Sequence, residues 1–122
     1  MRCRLTITPV RELIDIFERE PSCYAIPVVE NSRPIGLVAR RHVRFIKTIA
    51  DPAAAEYAQC ARDIMNIAPL MVDRTQPVLM LAHTLARSTP QHLADGFIIT
   101  DEGRYLGMGA ATDVLRVIAD TQ

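Results

Sequence analysis

Few residues in this chain are of a type that does chemistry, and their spacing decides which of them count. Cys3, Cys23 and Cys60 are odd in number, widely separated and without a C-x-x-C pair. Neither a disulfide framework nor a zinc site follows, and three reduced thiols are expected. None stands at a spacing from His and Asp that marks an activated nucleophile, so each reads as a small space-filling hydrophobe. His83 and His92 have no companion at metal-ligand spacing. Gly107-Met108-Gly109 resembles the start of a dinucleotide fingerprint, but Thr112 stands where the third glycine is needed. Gly109 suits instead a close approach to the backbone or an unusual dihedral. Thr112-Asp113 reads as a helix start, a hydroxyl cap followed by negative charge on the first turn, worth roughly 0.3–1 kcal/mol. Arg40, Arg41, His42, Arg44 and Lys47 gather positive charge at the start of another helix. Side chains and free N–H groups together would suit a phosphate there, and a solvated face paired with carboxylates is the competing reading. Met65, Met71, Met80 and Met108 either fill core space or line an adaptable cleft. With no nucleophile elbow, no H-E-x-x-H and no recognisable carboxylate pair, no catalytic or metal site is assigned and the chain is not expected to be an enzyme.

The bulk properties narrow the classes further. The 122 residues are 49% hydrophobic and 23% charged, enough apolar material for one core or two very small ones sharing a boundary. Fourteen basic residues balance fourteen acidic ones, so no net field draws in nucleic acid or an anionic membrane. No apolar run approaches the roughly 20 residues needed to cross a bilayer. Met1-Arg2-Cys3-Arg4 leads into alternating residues and not into a signal-peptide core. A cytoplasmic protein is expected.

Positioning these residues is the task of a repeated element. Placing Ala25-Ile26-Pro27-Val28-Val29-Glu30 over Gly96-Phe97-Ile98-Ile99-Thr100-Asp101 sets Arg33 on Arg104, Gly36 on Gly107, Ala39 on Ala110 and Val43 on Val114, at a constant offset of 71. Upstream, Pro9-Val10 with Leu13, Phe17 and Arg19 matches Pro77-Val78 with Leu81, Leu85 and Arg87 at an offset of 68, so the second copy gained three residues between helix and strand. In each copy an apolar stripe, Val10, Leu13, Ile14 and Phe17 or Val78, Leu81, Ala82 and Leu85, predicts a helix. An apolar run, 25–29 or 96–100, then a polar turn and a second run, Pro34 to Val38 or Tyr105 to Gly109, predict a β-hairpin. A last helix carries Val43, Phe45 and Ile46 or Val114, Leu115, Val117 and Ile118. Asp51-Pro52 opens a connecting helix over 53–65. Leu5-Thr6-Ile7 and Leu70-Met71-Val72-Asp73 each add a third strand. The expected class is α+β: a first repeat over 2–48, a connecting helix over 49–65 and a second repeat over 66–121. Each repeat is a three-stranded sheet with two helices, and pseudo-two-fold symmetry relates the two.

These residues resemble a pair of CBS domains, a Bateman module. That family carries a strand of the type Ile-Pro-Val-Val-Asp, then a turn, then Gly-hydrophobic-x-Thr/Ser-x-x-Asp into the last helix. The counterparts here are Ile26-Pro27-Val28-Val29-Glu30 with Gly36 to His42, and Phe97-Ile98-Ile99-Thr100-Asp101 with Gly107 to Asp113. Asp63-Ile64-Met65 followed by Pro69 resembles the family's entry into a second repeat. The resemblance implies a regulatory module that binds an adenosine-type ligand, AMP, ATP or S-adenosylmethionine, and signals the bound state to an attached or partner protein. It also implies a homodimer. The family's Asp holds the ribose hydroxyls, a role Asp113 inherits, since a carboxylate accepts from two vicinal hydroxyls. Ala110 stands where the family's phosphate-touching hydroxyl belongs, and Gly109, Met108, Gly96, Phe97, Ile67 and Pro69 are the further ligand-binding positions that the resemblance implies. In the first repeat Ala39 and His42 replace both signature residues, leaving Arg40, Arg41 and His42 for a phosphate.

A ligand-free interaction scaffold with degenerate clefts is the alternative. The run Asp95 to Gly107 resembles CBS pairs attached to bacterial diguanylate cyclases, which suggests such an output domain. The chain begins almost on its first strand, without a counterpart of the 53–65 helix, as expected of a piece of a longer protein.

Overall fold

Val10, Leu13, Ile14 and Phe17, the stripe expected of a first helix, are all buried along α1 (Val10–Arg19). Each contributes roughly 1.5–3 kcal/mol by leaving water. The computed structural model describes residues 8–43 and 60–121, and these fall into two units, Met1–Ala68 and Pro69–Gln122. In the first unit, α1 covers a hairpin of β1 (Ala25–Glu30) and β2 (Arg33–Ala39), with Ile26, Val28 and Val38 in the same core. A helical turn follows at 40–43. The expected strand at 5–7 and the positions Cys3, Arg44, Phe45, Ile46 and Lys47 lie outside the described residues.

The helix expected over 53–65 is not continuous. Cys60 is extended (φ −124, ψ 178) and bridges Pro9, and only α2 (Ala61–Ile64) is helical between it and the extended Met65. The physical reason is one local and one long-range hydrogen bond. The Asp63 carboxylate accepts the Cys60 N–H at 2.9 Å, which starts a new helix, and the Ala61 N–H donates to Thr8 O at 2.8 Å. That bond to Cys60, with a second from its thiol, holds the Asp63 carboxyl below the usual carboxylate range. Residues 53–59 lie outside the described chain.

The second unit runs β3 (Met71–Asp73), α3 (Val78–Ala86), α4 (Pro90–Asp95), β4 (Phe97–Asp101), β5 (Arg104–Gly109) and α5 (Ala111–Thr121). Its sheet has the order β3-β4-β5, with β3 parallel to β4 and β4 antiparallel to β5. The α4 turn, opened by Pro90 at its first position, has no helical counterpart at 20–24 and lies in the segment where the second copy is three residues longer. Val72, Leu85, Phe97 and Val114 form the core, with Leu81, Ala82, Ile99 and Ile118 packed against it. Val78, Leu115 and Val117, expected in the apolar stripes, are instead exposed. Val114 and Ile118 lie one turn apart on the inner face, and their neighbours are carried around the helix away from it.

The two hairpins are the same object built twice. Each pair of the β4–β5 ladder is a pair of the β1–β2 ladder shifted by 71: Ile26↔Val38 becomes Phe97↔Gly109, Val29↔Pro34 becomes Thr100↔Tyr105, and Glu30↔Arg33 becomes Asp101↔Arg104. Even the bulge recurs, leaving Ile35 and Leu106 extra on the second strands. Both turns are two residues with positive φ, Asn31 (51) with Ser32 (68) and Glu102 (53) with Gly103 (83). This type I′ geometry matches strand twist.

Candidate functional site

The last strand of each repeat runs into a helix, and the two junctions carry the candidate residues. In the second unit β5 ends at Gly109, and Ala110 precedes α5. The Ala110 N–H donates to Asp113 Oδ2 at 2.8 Å, and the Asp113 N–H returns to Ala110 O at 2.9 Å. The acceptor that starts this helix is therefore the Asp113 carboxylate, three residues in, and not the Thr112 hydroxyl the sequence suggested. Asp113 is nonetheless exposed. In the first unit the Ala39 N–H donates to His42 Nδ1 at 3.3 Å. His42 thus substitutes a ring nitrogen for the carboxylate oxygen at the equivalent position, in a tautomer that leaves Nδ1 unprotonated.

Arg40 serves the fold. Its Nε donates to Cys23 O at 2.9 Å, its Nη2 to Glu20 O at 2.7 Å, and its guanidinium lies 5.0 Å from the centroid of the Phe17 ring. One side chain thereby closes the connection between α1 and β1. Arg41 is exposed beside it.

Gly109 admits a close approach, as expected, but the group that approaches is Phe97. A Cβ on Gly109 would lie 2.6 Å from the Phe97 Cζ, and Phe97 is itself buried under it. Gly96, buried with φ 81, precedes Phe97. The buried Pro69 leads into β3, whose neighbour Leu70 accepts the Ile98 N–H at 2.9 Å. Because β3 and β4 begin where β5 ends, Pro69, Gly96, Phe97, Gly109, Ala110 and Asp113 gather at one end of this sheet, with the half-buried Met108 next to Gly109. Ile67, 77% exposed, belongs to the first unit with Arg40, Arg41 and His42.

Two residues outside these expectations organise the surroundings. Asp73 Oδ1 accepts from Thr75 Oγ1 at 2.6 Å and Thr75 N at 2.9 Å, while Oδ2 accepts from Glu102 N at 3.3 Å. It staples β3 to the β4–β5 turn, and those bonds, Thr75's first, hold its carboxyl below the usual range. Arg74 adds an ion pair to Asp101 at 3.2 Å. An Asp-x-Thr sequence after a short strand is the signal that marks such a turn. Burial pushes the Cys23 thiol above its ordinary value, the opposite of nucleophile activation. Among the described residues no three His, Cys, Asp or Glu side chains group as metal ligands, and no helix is long and apolar enough to cross a membrane.

The CBS domain model matches residues 6–46 and 61–120 of the chain. The fold is similar to that of the CBS-pair protein CBSX2 from Arabidopsis thaliana, with TM-score 0.77 and 15% identity over 99% of this chain and 87% of that one. The structure of CBSX2 in complex with AMP gives TM-score 0.76 at 15% identity, covering 99% of this chain and 89% of the other. The CBS domain of a bacterial CNNM/CorC family Mg2+ transporter in complex with ATP gives 0.74 at 16% identity, covering 98% and 79%. No curated protein matches the chain by sequence.

Proposed function

The chain belongs to the CBS-domain family, and from that premise we propose that it is a regulatory module whose second repeat binds an adenosine-type ligand and passes the bound state to an attached or partner signalling protein. The observation that carries this reading is Asp113. It stands exposed at the start of α5 with Oδ2 engaged by the Ala110 N–H, and its second oxygen is suited to accept from ribose hydroxyls. The AMP and ATP complexes of similarly folded proteins support the ligand class; S-adenosylmethionine is included on the family resemblance. Ala110 offers no hydroxyl to a phosphate, so the nucleoside part supplies most of the binding. Ligand binding then shifts a conformational equilibrium felt by the output, for which a diguanylate cyclase is our candidate. The protein acts as a cytoplasmic homodimer in this reading, a role supported by Leu79 and Met80 on α3 and Leu115 on α5, which stand exposed.

Thermal shift with AMP, ATP, S-adenosylmethionine, adenosine and cyclic dinucleotides tests the proposal, run on the parent and on Asp113→Ala. A ligand at a hundred times its Kd adds about 2.7 kcal/mol. The variant alone loses the hydrogen bond that Asp113 accepts from the Ala110 N–H, so the readout is the ligand-induced shift within each protein. A shift that disappears in Asp113→Ala supports the proposal, and one that survives unchanged rejects it.

A ligand-free scaffold is the second reading. Arg40 and His42 are engaged in holding the first repeat together, and both hydroxyl positions are alanine. No shift from any compound, with a dimer in sedimentation, favours it.

A further inference from the structure

β2 and β5 present equivalent outer edges in the two units, and among the described residues only the first is seen to be covered. Leu37 faces Pro27, which has no N–H, and turns its own N–H and C=O outward. Asn66 takes both: Leu37 N donates to Asn66 O at 3.0 Å and Asn66 N donates to Leu37 O at 2.8 Å. Beside this bridge Met65 lies over Gly36, its Cγ 2.8 Å from where a Cβ would stand.

At the same places in the second unit are Met108 and Gly107. Met108 faces Ile98, whose N–H is directed to Leu70 O on the β3 side. This is the type of antiparallel pair whose main-chain groups point away from each other, so the Met108 N–H and C=O face out from the edge of β5. Among the described residues none is placed on them as Asn66 is placed on Leu37. A Cβ on Gly107 meets nothing within 4 Å, and Leu106 beside it is 55% exposed.

We propose that this edge is a docking site for a methionine-bearing segment of a partner polypeptide. The segment adds antiparallel to β5, exchanges two main-chain hydrogen bonds with Met108 and lays its unbranched thioether on Gly107. The filled counterpart identifies the occupant: Met65-Asn66 satisfies the same glycine floor and the same outward pair in the first unit. An open edge with free main-chain groups is the general template for strand addition, and a flexible thioether suits a shallow glycine floor.

The test is a titration of the 15N-labelled full chain with a peptide of the sequence of residues 60–68. Saturable amide shifts at Gly107 and Met108 are expected at millimolar peptide. Changing the peptide's Met65→Glu, or the protein's Gly107→Val, weakens binding about tenfold or more. Gly107→Val fills open space, so the free protein keeps its spectrum over 25–39. If that variant does not fold, the peptide variant alone decides. Shifts confined to residues 35–38, an affinity insensitive to either change, or no saturable binding would each overturn the proposal.

Discussion

Replacing Gly36 with alanine should destabilise the protein, while the same change at its repeat partner Gly107 should not. A Cβ at position 36 would overlap the Met65 Sδ, lie 2.8 Å from Met65 Cγ and stand 3.1 Å from Asn66 O, against 3.4 Å or more for ordinary contact. The thioether must swing away, and the Asn66 carbonyl, which accepts the Leu37 N–H at 3.0 Å, must yield by a few tenths of an ångström. Overpacking of this kind costs about 1–3 kcal/mol. Removing a strand glycine returns about 0.5–1 kcal/mol, so the net loss is about 1 kcal/mol at the middle of both ranges and at most about 2.5 kcal/mol. At position 107 nothing stands within 4 Å, and only the gain of up to about 1 kcal/mol applies. Urea denaturation of both variants measures the difference, and the loss at 36 corresponds to a fall in Tm of roughly 4 °C per kcal/mol. Met65→Ala should relieve the clash, so the double mutant Gly36→Ala/Met65→Ala should be less unstable than the sum of the singles. Equal effects at 36 and 107, or strict additivity with Met65→Ala, would refute the reasoning.

Three further outcomes follow from the geometry. Ser32 holds φ 68 in a turn whose counterpart uses glycine, so Ser32→Gly should stabilise by about 0.5–1 kcal/mol in urea denaturation; destabilisation would show that the side chain has a role of its own. Arg40→Lys cannot reproduce the two-carbonyl fork and stack, and should cost about 1–3 kcal/mol despite keeping its charge. A lysine variant with the parent's urea midpoint would remove the clamp from the account. Asp73 is ionised and hydrogen-bonded with its folded-state pKa depressed, so its stabilising effect is present above the unfolded value of about 4 and is lost as pH falls through the folded one. The parent should therefore exceed Asp73→Asn in Tm at neutral pH and converge on it in acid, and a gap that is constant down to strongly acidic pH would contradict this.

The duplication was legible in the residues because it rests on covalent order. Gly36 and Gly107, or Val28-Val29 and Ile99-Thr100, keep their spacing whatever surrounds them, and identical alternation forces identical ladder registers. The α1 stripe was likewise readable, because four residues at three- and four-residue spacing leave one inner face. The break at Cys60 and the exposure of Leu115 and Val117 were not, since the first is held in part by the carbonyl of Thr8, far along the chain, and the second depends on which helix face meets the sheet. Asp113 was identifiable by type and position, but that its Oδ2 caps Ala110, and that His42 does the same for Ala39, required coordinates. Arg40 shows the divide most plainly. Its charge at a helix start suggested a phosphate, yet folding brings the carbonyls of Glu20 and Cys23 and the ring of Phe17 to its guanidinium. Local periodicity and repetition are written in the order of residues, whereas the choice between a ligand and a carbonyl for one cation is made by chain segments that only tertiary packing brings within hydrogen-bond reach.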